Sequence, residues 1–239
     1  MIIHREGMVW RRVMLLPIAR AMTNAADRRN QILDAIARAA RLAGRDPGGI
    51  ELIAVSKGRS VEEIEELIAA GQRDFGENRV QEARAKWPGI KDRYPNLRLH
   101  GIGRLQSNKA ADALGLFDVI HSLDRLSLLE AVAKEAGRTG RFPDLYVQVN
   151  IGEEEQKGGC SLGEVEALVN AVRASPFPLE GLMAIPPAGL EPAPYFALLA
   201  KVARRHDVTG LSMGMSGDFG AAVMQGATAV RIGTALFEG

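Results

Sequence analysis

The sequence predicts an α/β protein folded as one (β/α)8 TIM barrel. Strand-like and helix-like segments alternate about eight times with connections of a few residues, which is the pattern that such a barrel requires. The length of 239 residues is close to the ~250 that this fold typically takes. A doubly wound open sheet is the alternative, but those sheets usually carry about five or six parallel strands. No composition shift or low-complexity linker divides the chain.

One extra helix is expected before the barrel. Apolar residues recur at helical spacing within residues 32–40, and Gly44 with Pro47 ends this helix. The first strand follows at 52–55, a short apolar run that is typical of a strand buried on both faces. The later strands are expected at 73–78, 97–102, 117–121, 145–150, 179–185, 211–215 and 229–233.

Capping residues mark the helices between these strands. Ser60 with Glu63, and Ser161 with Glu164, form capping boxes that open two of them. Gly71 is expected to end the first of the two. The remaining boundaries are a cap at Asp124, helix ends at Pro88–Gly89 and at Gly137, and helices over 105–114, 192–206 and 219–225.

Composition excludes several classes of protein. The formal net charge is +1, so no electrostatic argument favours nucleic acid or a membrane surface as a partner. Cys160 is the only cysteine, and the four histidines lack metal-ligand spacing, so we expect neither a disulfide nor a metal site. No apolar run approaches the ~20 residues of a transmembrane helix. We therefore expect a cytoplasmic protein, and a monomer.

Residues 1–22 differ from the rest of the chain. Four arginines surround a short apolar run at 13–16, and Pro17 follows it. A signal peptide is one interpretation, because residues 19–21 have the A-x-A form, but the apolar run is shorter than the ~7 residues usually required. We favour an extension upstream of a true start at Met22, poorly packed, followed by a single domain over 23–239.

Lys57 is the strongest candidate for chemistry. It follows the first strand and precedes a helix, which is the location of ligand sites in α/β proteins. A lysine at the edge of an apolar interior is a candidate Schiff-base former, because desolvation favours the neutral, nucleophilic amine. The alternative is an ordinary solvated lysine at a strand end.

Small, glycine-rich turns follow the last two predicted strands. Ser216 lies in the first of them, and Gly233 with Thr234 forms the second. Backbone N–H groups and hydroxyls at such turns bind phosphate, and barrel enzymes commonly bind phosphate there. The glycines could instead serve only tight packing. Taken with Lys57, the turns indicate a ligand with an aldehyde at one end and a phosphate at the other, which describes pyridoxal 5′-phosphate (PLP).

Six motifs resemble one known family. They are AVSK at 54–57, FGEN at 75–78, LQSNK at 105–109, GLMAIP at 181–186, LSMGMS at 211–216 and VRIGT at 230–234. In this order they closely resemble the YggS/PROSC family of pyridoxal phosphate homeostasis proteins, which is related to the barrel domain of bacterial alanine racemase. The resemblance covers residues 24–237 and implies the type III PLP fold.

The resemblance also implies roles for individual residues. Lys57 would carry PLP as an internal aldimine, and Arg231 would face the pyridine nitrogen. The phosphate would be held by Ser216, Gly233 and Thr234. Two further residues, Asn78 and His100, fall in matching motifs and would line the cofactor pocket.

Four positions depart from the family pattern. A bulky residue is expected at Gly101, a proline at Arg104, a serine at the second glycine of the segment 156–160, Gly159, and a carboxylate at Gly220. None of these changes removes a group that the aldimine or the phosphate needs. The change at Gly101 puts in doubt how tightly the cofactor ring is packed.

The resemblance implies a PLP carrier or regulator rather than an efficient enzyme. An arginine opposite the pyridine nitrogen weakens the electron sink that amino-acid chemistry needs. Racemases also use a second acid/base from a separate domain, which we do not expect in this chain. The favoured function is therefore vitamin B6 and amino-acid homeostasis, with apo PLP-dependent enzymes as possible recipients. A weak amino-acid racemase and an aldolase-type barrel enzyme acting on a sugar phosphate are the alternatives.

Overall fold

The computed structural model describes residues 24–238, in which eight short parallel strands form the centre of the molecule. The strands are β1 Glu51–Val55, β2 Asp74–Glu77, β3 Arg98–Gly101, β4 Val119–Leu123, β5 Asp144–Gln148, β6 Leu179–Met183, β7 Gly210–Ser212 and β8 Ala229–Ile232. Each strand pairs with the next, and β8 closes the barrel against β1, with Ile53 opposite Arg231. The predicted (β/α)8 barrel is confirmed. The expectation of a poorly packed segment at 1–22 lies outside the described residues.

Helices cover the outside of the barrel. They are α1 Ala25–Leu42, α2 Val61–Ala69, α3 Val80–Arg93, α4 Ala110–Leu116, α5 Leu126–Thr139, α6 Val165–Arg173, α7 Ala193–Arg205, α8 Phe219–Met224 and α9 Thr234–Phe237. Short 3-10 turns occur at Pro47–Gly49, Ser107–Lys109 and Leu162–Glu164. Helix α1 is the predicted extra helix before β1. None of the helices in the described part of the chain has the length and apolar character needed to cross a bilayer.

Several helix boundaries follow the local signals. Both predicted capping boxes are present, since Ser60 and Glu63 bond reciprocally, as do Ser161 and Glu164. Gly71 follows α2 with φ of 91°, a left-handed conformation that glycine adopts without steric cost.

Three predicted boundaries were wrong. Helix α3 continues through Pro88–Gly89 to Arg93, because Trp87 and Ile90 are both fully buried and extend its apolar face past the proline. Helix α5 passes Gly137 and ends at Gly140, which has φ of 70°. Asp124 does not cap α5, since its carboxylate accepts a hydrogen bond from Arg125 Nη1 at 2.5 Å.

Most of the apolar core lies between the strands and the surrounding helices. Its largest fully buried side chains include Trp87, Phe75, Phe196 and Ile36. Inside the barrel, a small separate cluster of Val119, Tyr146 and Met183 is accompanied by buried polar residues. These interior polar residues are His100, His121, Gln148, Ser212 and Arg231. The barrel therefore carries a polar interior beneath the edge where its strands end.

Candidate cofactor-binding site

A cavity of about 550 Å³ opens at the carboxyl ends of the strands. Six of the seven predicted site residues line it, and they come from the loops after β1, β2, β7 and β8 and from β8 itself. These six are Lys57, Asn78, Ser216, Arg231, Gly233 and Thr234. The fold thus brings together residues that lie up to 177 positions apart, from Lys57 to Thr234.

His100 is the predicted site residue that the structure places elsewhere. Its ring is fully buried inside the barrel, below the cavity and outside its lining. The ring nitrogens contact His121 at 3.0 Å and Asp74 at 3.3 Å. Since Asp74 begins β2, the His100 ring points toward the amino ends of the strands rather than toward the cavity.

The missing side chain at Gly101 does not loosen the cavity. A Cβ atom at this position would lie 2.7 Å from the ring of Phe117, which is buried against the strand. Phe117 immediately follows α4, so the space belongs to the layer between strands and helices. The doubt that the sequence raised about packing of the cofactor ring is therefore removed at this position.

Lys57 lies two residues beyond β1 on a short loop, and its side chain is exposed. This differs from the desolvated lysine that we expected, because the last fully buried residue of the segment is Ser56. Gly58, the next residue, has φ of 69° and turns the chain toward α2. Lys57 therefore presents its amine at the open mouth of the cavity.

Side chains of α3 form hydrogen bonds with the backbone of the loop that carries Lys57. Lys86 Nζ donates hydrogen bonds to the carbonyl oxygens of Ser56 at 2.9 Å and Arg59 at 3.4 Å. Glu82 accepts a hydrogen bond from the backbone N–H of Gly58 at 2.5 Å. These contacts fix the backbone on both sides of Lys57.

A buried carboxylate completes this support. Oε1 of Glu77 accepts hydrogen bonds from Ser56 Oγ at 2.7 Å and Trp87 Nε1 at 2.9 Å, and it pairs with Lys86 Nζ at 2.8 Å. Sequence reasoning missed Glu82 and Lys86. The available signal was their four-residue separation on the helix that follows the FGEN motif, a spacing that pairs a glutamate with a lysine on one face.

The turn after β7 offers free hydrogen-bond donors to the cavity. The Met215 N–H donates to Asp218 Oδ1 at 2.6 Å, which folds the turn back on itself. The next two N–H groups, of Ser216 and Gly217, have no acceptor within residues 24–238. Both residues line the cavity, as do Gly233 and Thr234 from the turn after β8. Two N–H groups and two hydroxyls suit an anionic group such as a phosphate.

Arg231 lies on β8 at the floor of the cavity and is almost fully buried. Its Nη1 donates to Ser212 Oγ at 2.6 Å, and its Nη2 donates to the carbonyl oxygen of Ala184 at 3.1 Å. Burial lowers the pKa of Arg231 to about 10, so the guanidinium remains protonated at neutral pH. The floor of the cavity therefore carries the positive charge of Arg231, whose guanidinium is held in place by these two hydrogen bonds.

A line of hydrogen bonds runs from Arg231 through the barrel interior. Ser212 Oγ lies 2.9 Å from His121 Nδ1, and His121 Nε2 lies 3.0 Å from His100 Nδ1. With both rings neutral and the Asp74 carboxylate as acceptor, His100 Nε2–H donates to Asp74, His121 Nε2–H donates to His100, and Ser212 donates to His121 while it accepts from Arg231. Burial lowers the pKa of both histidines, which agrees with two neutral rings.

An acidic pair lies at the lower end of this line. Burial first, and then the charge of Asp74, raises the pKa of Glu51 to about 7. Glu51, Asp74 and His100 present ligand atoms within 4.8 Å of one another, a spacing that could hold a metal ion. Arg98 already pairs with Glu51 at 3.1 Å, however, and a resident cation disfavours a second one.

Stability is expected to fall when the pH is lowered from 6 to 5. In this range the unfolded chain protonates His100 and His121 while the folded chain does not, and each contributes a loss of up to about 1.4 kcal/mol per pH unit. Glu51 has the opposite effect on stability. Because its pKa is raised, the folded state still holds the proton in this pH range, whereas the unfolded state, with the ordinary pKa of a glutamate, has released most of it. In Glu51→Gln this opposition is removed, so urea unfolding should show a steeper loss with falling pH. An unchanged slope would contradict the assignment.

Known proteins resemble this chain in both sequence and fold. A family profile described as "Alanine racemase, N-terminal domain" matches residues 31–239. A pyridoxal phosphate homeostasis protein of Pseudomonas aeruginosa is 41% identical over 224 residues, which cover 90% of this chain and 96% of that protein. The chain belongs to the pyridoxal phosphate homeostasis protein family. The member from Escherichia coli K12 is 40% identical over 228 residues, with 90% and 97% of the two chains covered.

Solved structures agree with membership of the pyridoxal phosphate homeostasis family. PipY of Synechococcus elongatus PCC7942, solved with PLP bound, superposes with a TM-score of 0.73 at 41% identity, covering 85% of this chain and 99% of PipY. D-threonine aldolase of Filomicrobium marinum superposes with a TM-score of 0.67 at 14% identity, covering 89% of this chain and 61% of the aldolase. The second likeness shows the barrel fold alone.

Proposed function

We propose that this protein binds PLP in the cavity at the carboxyl ends of the strands and acts in intracellular PLP homeostasis, as a carrier or regulator. The observation that carries the proposal is the convergence of Lys57, the two donor-rich turns and Arg231 on one cavity of about 550 Å³. The PLP-bound state of PipY, at 41% identity, supports the same assignment.

The residues present fit PLP at each of its polar ends. PLP, when bound, supplies an aldehyde that condenses with an amine and a ring that withdraws electrons. The Lys57 amine is the group for that condensation, which forms a C=N bond and releases water. Ser216, Gly217 and Thr234 would hold the phosphate by donating hydrogen bonds to it. Arg231 would donate to the ring nitrogen, which would favour an unprotonated nitrogen.

Apart from Lys57, the described lining of the cavity lacks the acid/base groups that PLP-dependent reactions of amino acids require. Among the described residues that line it there is no Tyr, His, Cys, Asp or Glu. Racemisation needs a second acid/base on the face opposite the lysine, and no such group is present in this lining. A protonated Arg231 at the ring nitrogen also weakens electron withdrawal. Both features favour holding the cofactor over reacting it with amino acids.

Exposure of Lys57 suits a carrier. A C=N bond at the open mouth is accessible to water and to the amines of acceptor proteins, so it is reversible without a large opening motion. We further propose that the protein works in the cytoplasm as a monomer, and that apo PLP-dependent enzymes are its recipients.

The test is chemical trapping followed by peptide mapping. The protein is loaded with PLP, reduced with borohydride and digested, and the peptides are weighed by mass spectrometry. A pyridoxyl-phosphate addition on Lys57 supports the proposal, and its absence from Lys57 overturns the covalent assignment. Incubation with L-alanine should yield no D-alanine above the rate of free PLP, whereas efficient formation would favour the racemase alternative.

A further inference from the structure

A second cavity, of about 710 Å³, lies beside the first and shares Asn78 and Arg104 with it. Its lining contains four cationic side chains and, among the described residues, no carboxylate. The cations are Arg79, Arg104, Lys109 and Arg125. We propose that this cavity binds a second ligand, separate from the cofactor: a phosphate monoester with a hydroxyl-bearing carbon skeleton, as in sugar phosphates.

The charge that remains unbalanced in this cavity is about two units. The side chains of Arg79 and Arg104 form no ion pair or hydrogen bond within residues 24–238, and the charge of Arg79 acts on Glu82 only through space. Arg125 pairs with Asp124 at 2.5 Å, and Lys109 lies 3.9 Å from Asp112. A phosphate monoester carries about 1.5 to 2 negative charges at pH 7. One such group therefore matches the two unpaired guanidinium ions.

Backbone donors add to these guanidinium groups. Helix α3 begins at Val80 with no side-chain cap, and both Val80 and Gln81 line the cavity. Their N–H groups are left free at the positive end of a 14-residue helix. A phosphate placed at this end of α3 would meet the N–H groups of Val80 and Gln81 together with the guanidinium of Arg79.

The remaining lining favours a polar carbon skeleton. It consists mainly of side-chain amides and one hydroxyl, contributed by Asn78, Gln81, Gln106, Ser107 and Asn108. These groups both donate and accept hydrogen bonds, as sugar hydroxyls require. Only Val80 and Leu105 among the described residues of this lining are apolar, whereas the first cavity offers Ile102, Ile185 and Met215 to a flat ring such as pyridine. The second cavity is therefore not a mere extension of the first.

The proposal does not depend on covalent cofactor binding, because none of its argument uses Lys57. Ribose 5-phosphate serves as the probe, and its binding to the purified protein is measured by titration calorimetry. We expect one equivalent to bind, and Arg79→Gln to weaken binding about tenfold or more through loss of a charge-assisted hydrogen bond. Arg138→Gln is the control, since it removes one positive charge from an exposed, distant ion pair on α5.

Further measurements identify which cavity ribose 5-phosphate occupies and which class of ligand that cavity prefers. Thr234→Val, which alters the first cavity, should leave ribose 5-phosphate binding unchanged. If Thr234→Val weakens binding and Arg79→Gln does not, the probe occupies the first cavity and the proposal is overturned. It is equally overturned if inorganic phosphate binds as tightly as ribose 5-phosphate, if PLP competes for this site, or if a short RNA binds through Arg79 while the sugar phosphate does not. The visible spectrum, recorded in parallel, reports separately on the cofactor.

Discussion

Replacing Lys57 with alanine is expected to abolish covalent loading with PLP. The wild-type protein should show an absorbance band near ~420 nm, because the amine and the aldehyde form a conjugated C=N bond. Alanine offers no amine, so the band should be absent and only weak, non-covalent binding through Arg231 and the phosphate turns should remain. Titration with PLP, followed by visible spectroscopy before and after borohydride reduction, measures the effect.

Two further variants test whether the loss of the band is specific to the primary amine of Lys57. Lys57→Arg keeps the positive charge but supplies no primary amine, so it should behave like Lys57→Ala. Lys134→Ala, on the outer helix α5, removes a lysine far from the cavity lining and should keep the band. A ~420 nm band of full intensity in Lys57→Ala would show that another amine carries the cofactor.

Lys86→Met is expected to destabilise the protein by about 3–5 kcal/mol. The substitution leaves the fully buried carboxylate of Glu77 without its cationic partner, which lies 2.8 Å away in the wild type. It also frees the carbonyl oxygens of Ser56 and Arg59, which border the loop carrying Lys57. Urea unfolding measures the loss of stability, and PLP titration should show weaker loading in the variant.

A double variant distinguishes two causes of the lost stability: the unpaired buried charge of Glu77 and the lost packing of the Lys86 side chain. Glu77→Gln combined with Lys86→Met leaves no buried charge, so the pair should be more stable than Lys86→Met alone. Arg84→Met on the same helix is the control. It breaks an exposed ion pair with Asp112 and should cost less than about 1 kcal/mol. If the double variant is no more stable than the single one, the buried Glu77–Lys86 pair is not the source of the loss.

The barrel itself was predictable because its signals are local. Each buried strand is a short apolar run, and capping residues such as Ser60 and Ser161 mark the following helices. The failures arose where tertiary packing outweighs a local preference. Pro88 normally ends a helix, but the burial of Trp87 and Ile90 carries α3 through it.

The site was predictable to the extent that strand ends converge. Position after a strand is enough to bring Lys57, Ser216 and Thr234 to one edge of a barrel. Neither this position nor a motif match reveals where a side chain within a strand points, and His100, which its motif assigned to the cavity lining, lies below the cavity instead. Nor do they reveal partnerships across elements, such as the contacts of Lys86 with the Lys57 loop.

The hydrogen bonds inside the barrel have a single polarity, because Arg231 at one end can only donate and the Asp74 carboxylate at the other end can only accept. With both rings neutral, the Asp74 carboxylate sets the tautomer of His100, and through it the tautomer of His121 and the orientation of the Ser212 hydroxyl. The carboxylate at one mouth of the barrel thus fixes the hydrogen positions along the barrel axis, as far as the hydroxyl beneath the floor of the other mouth.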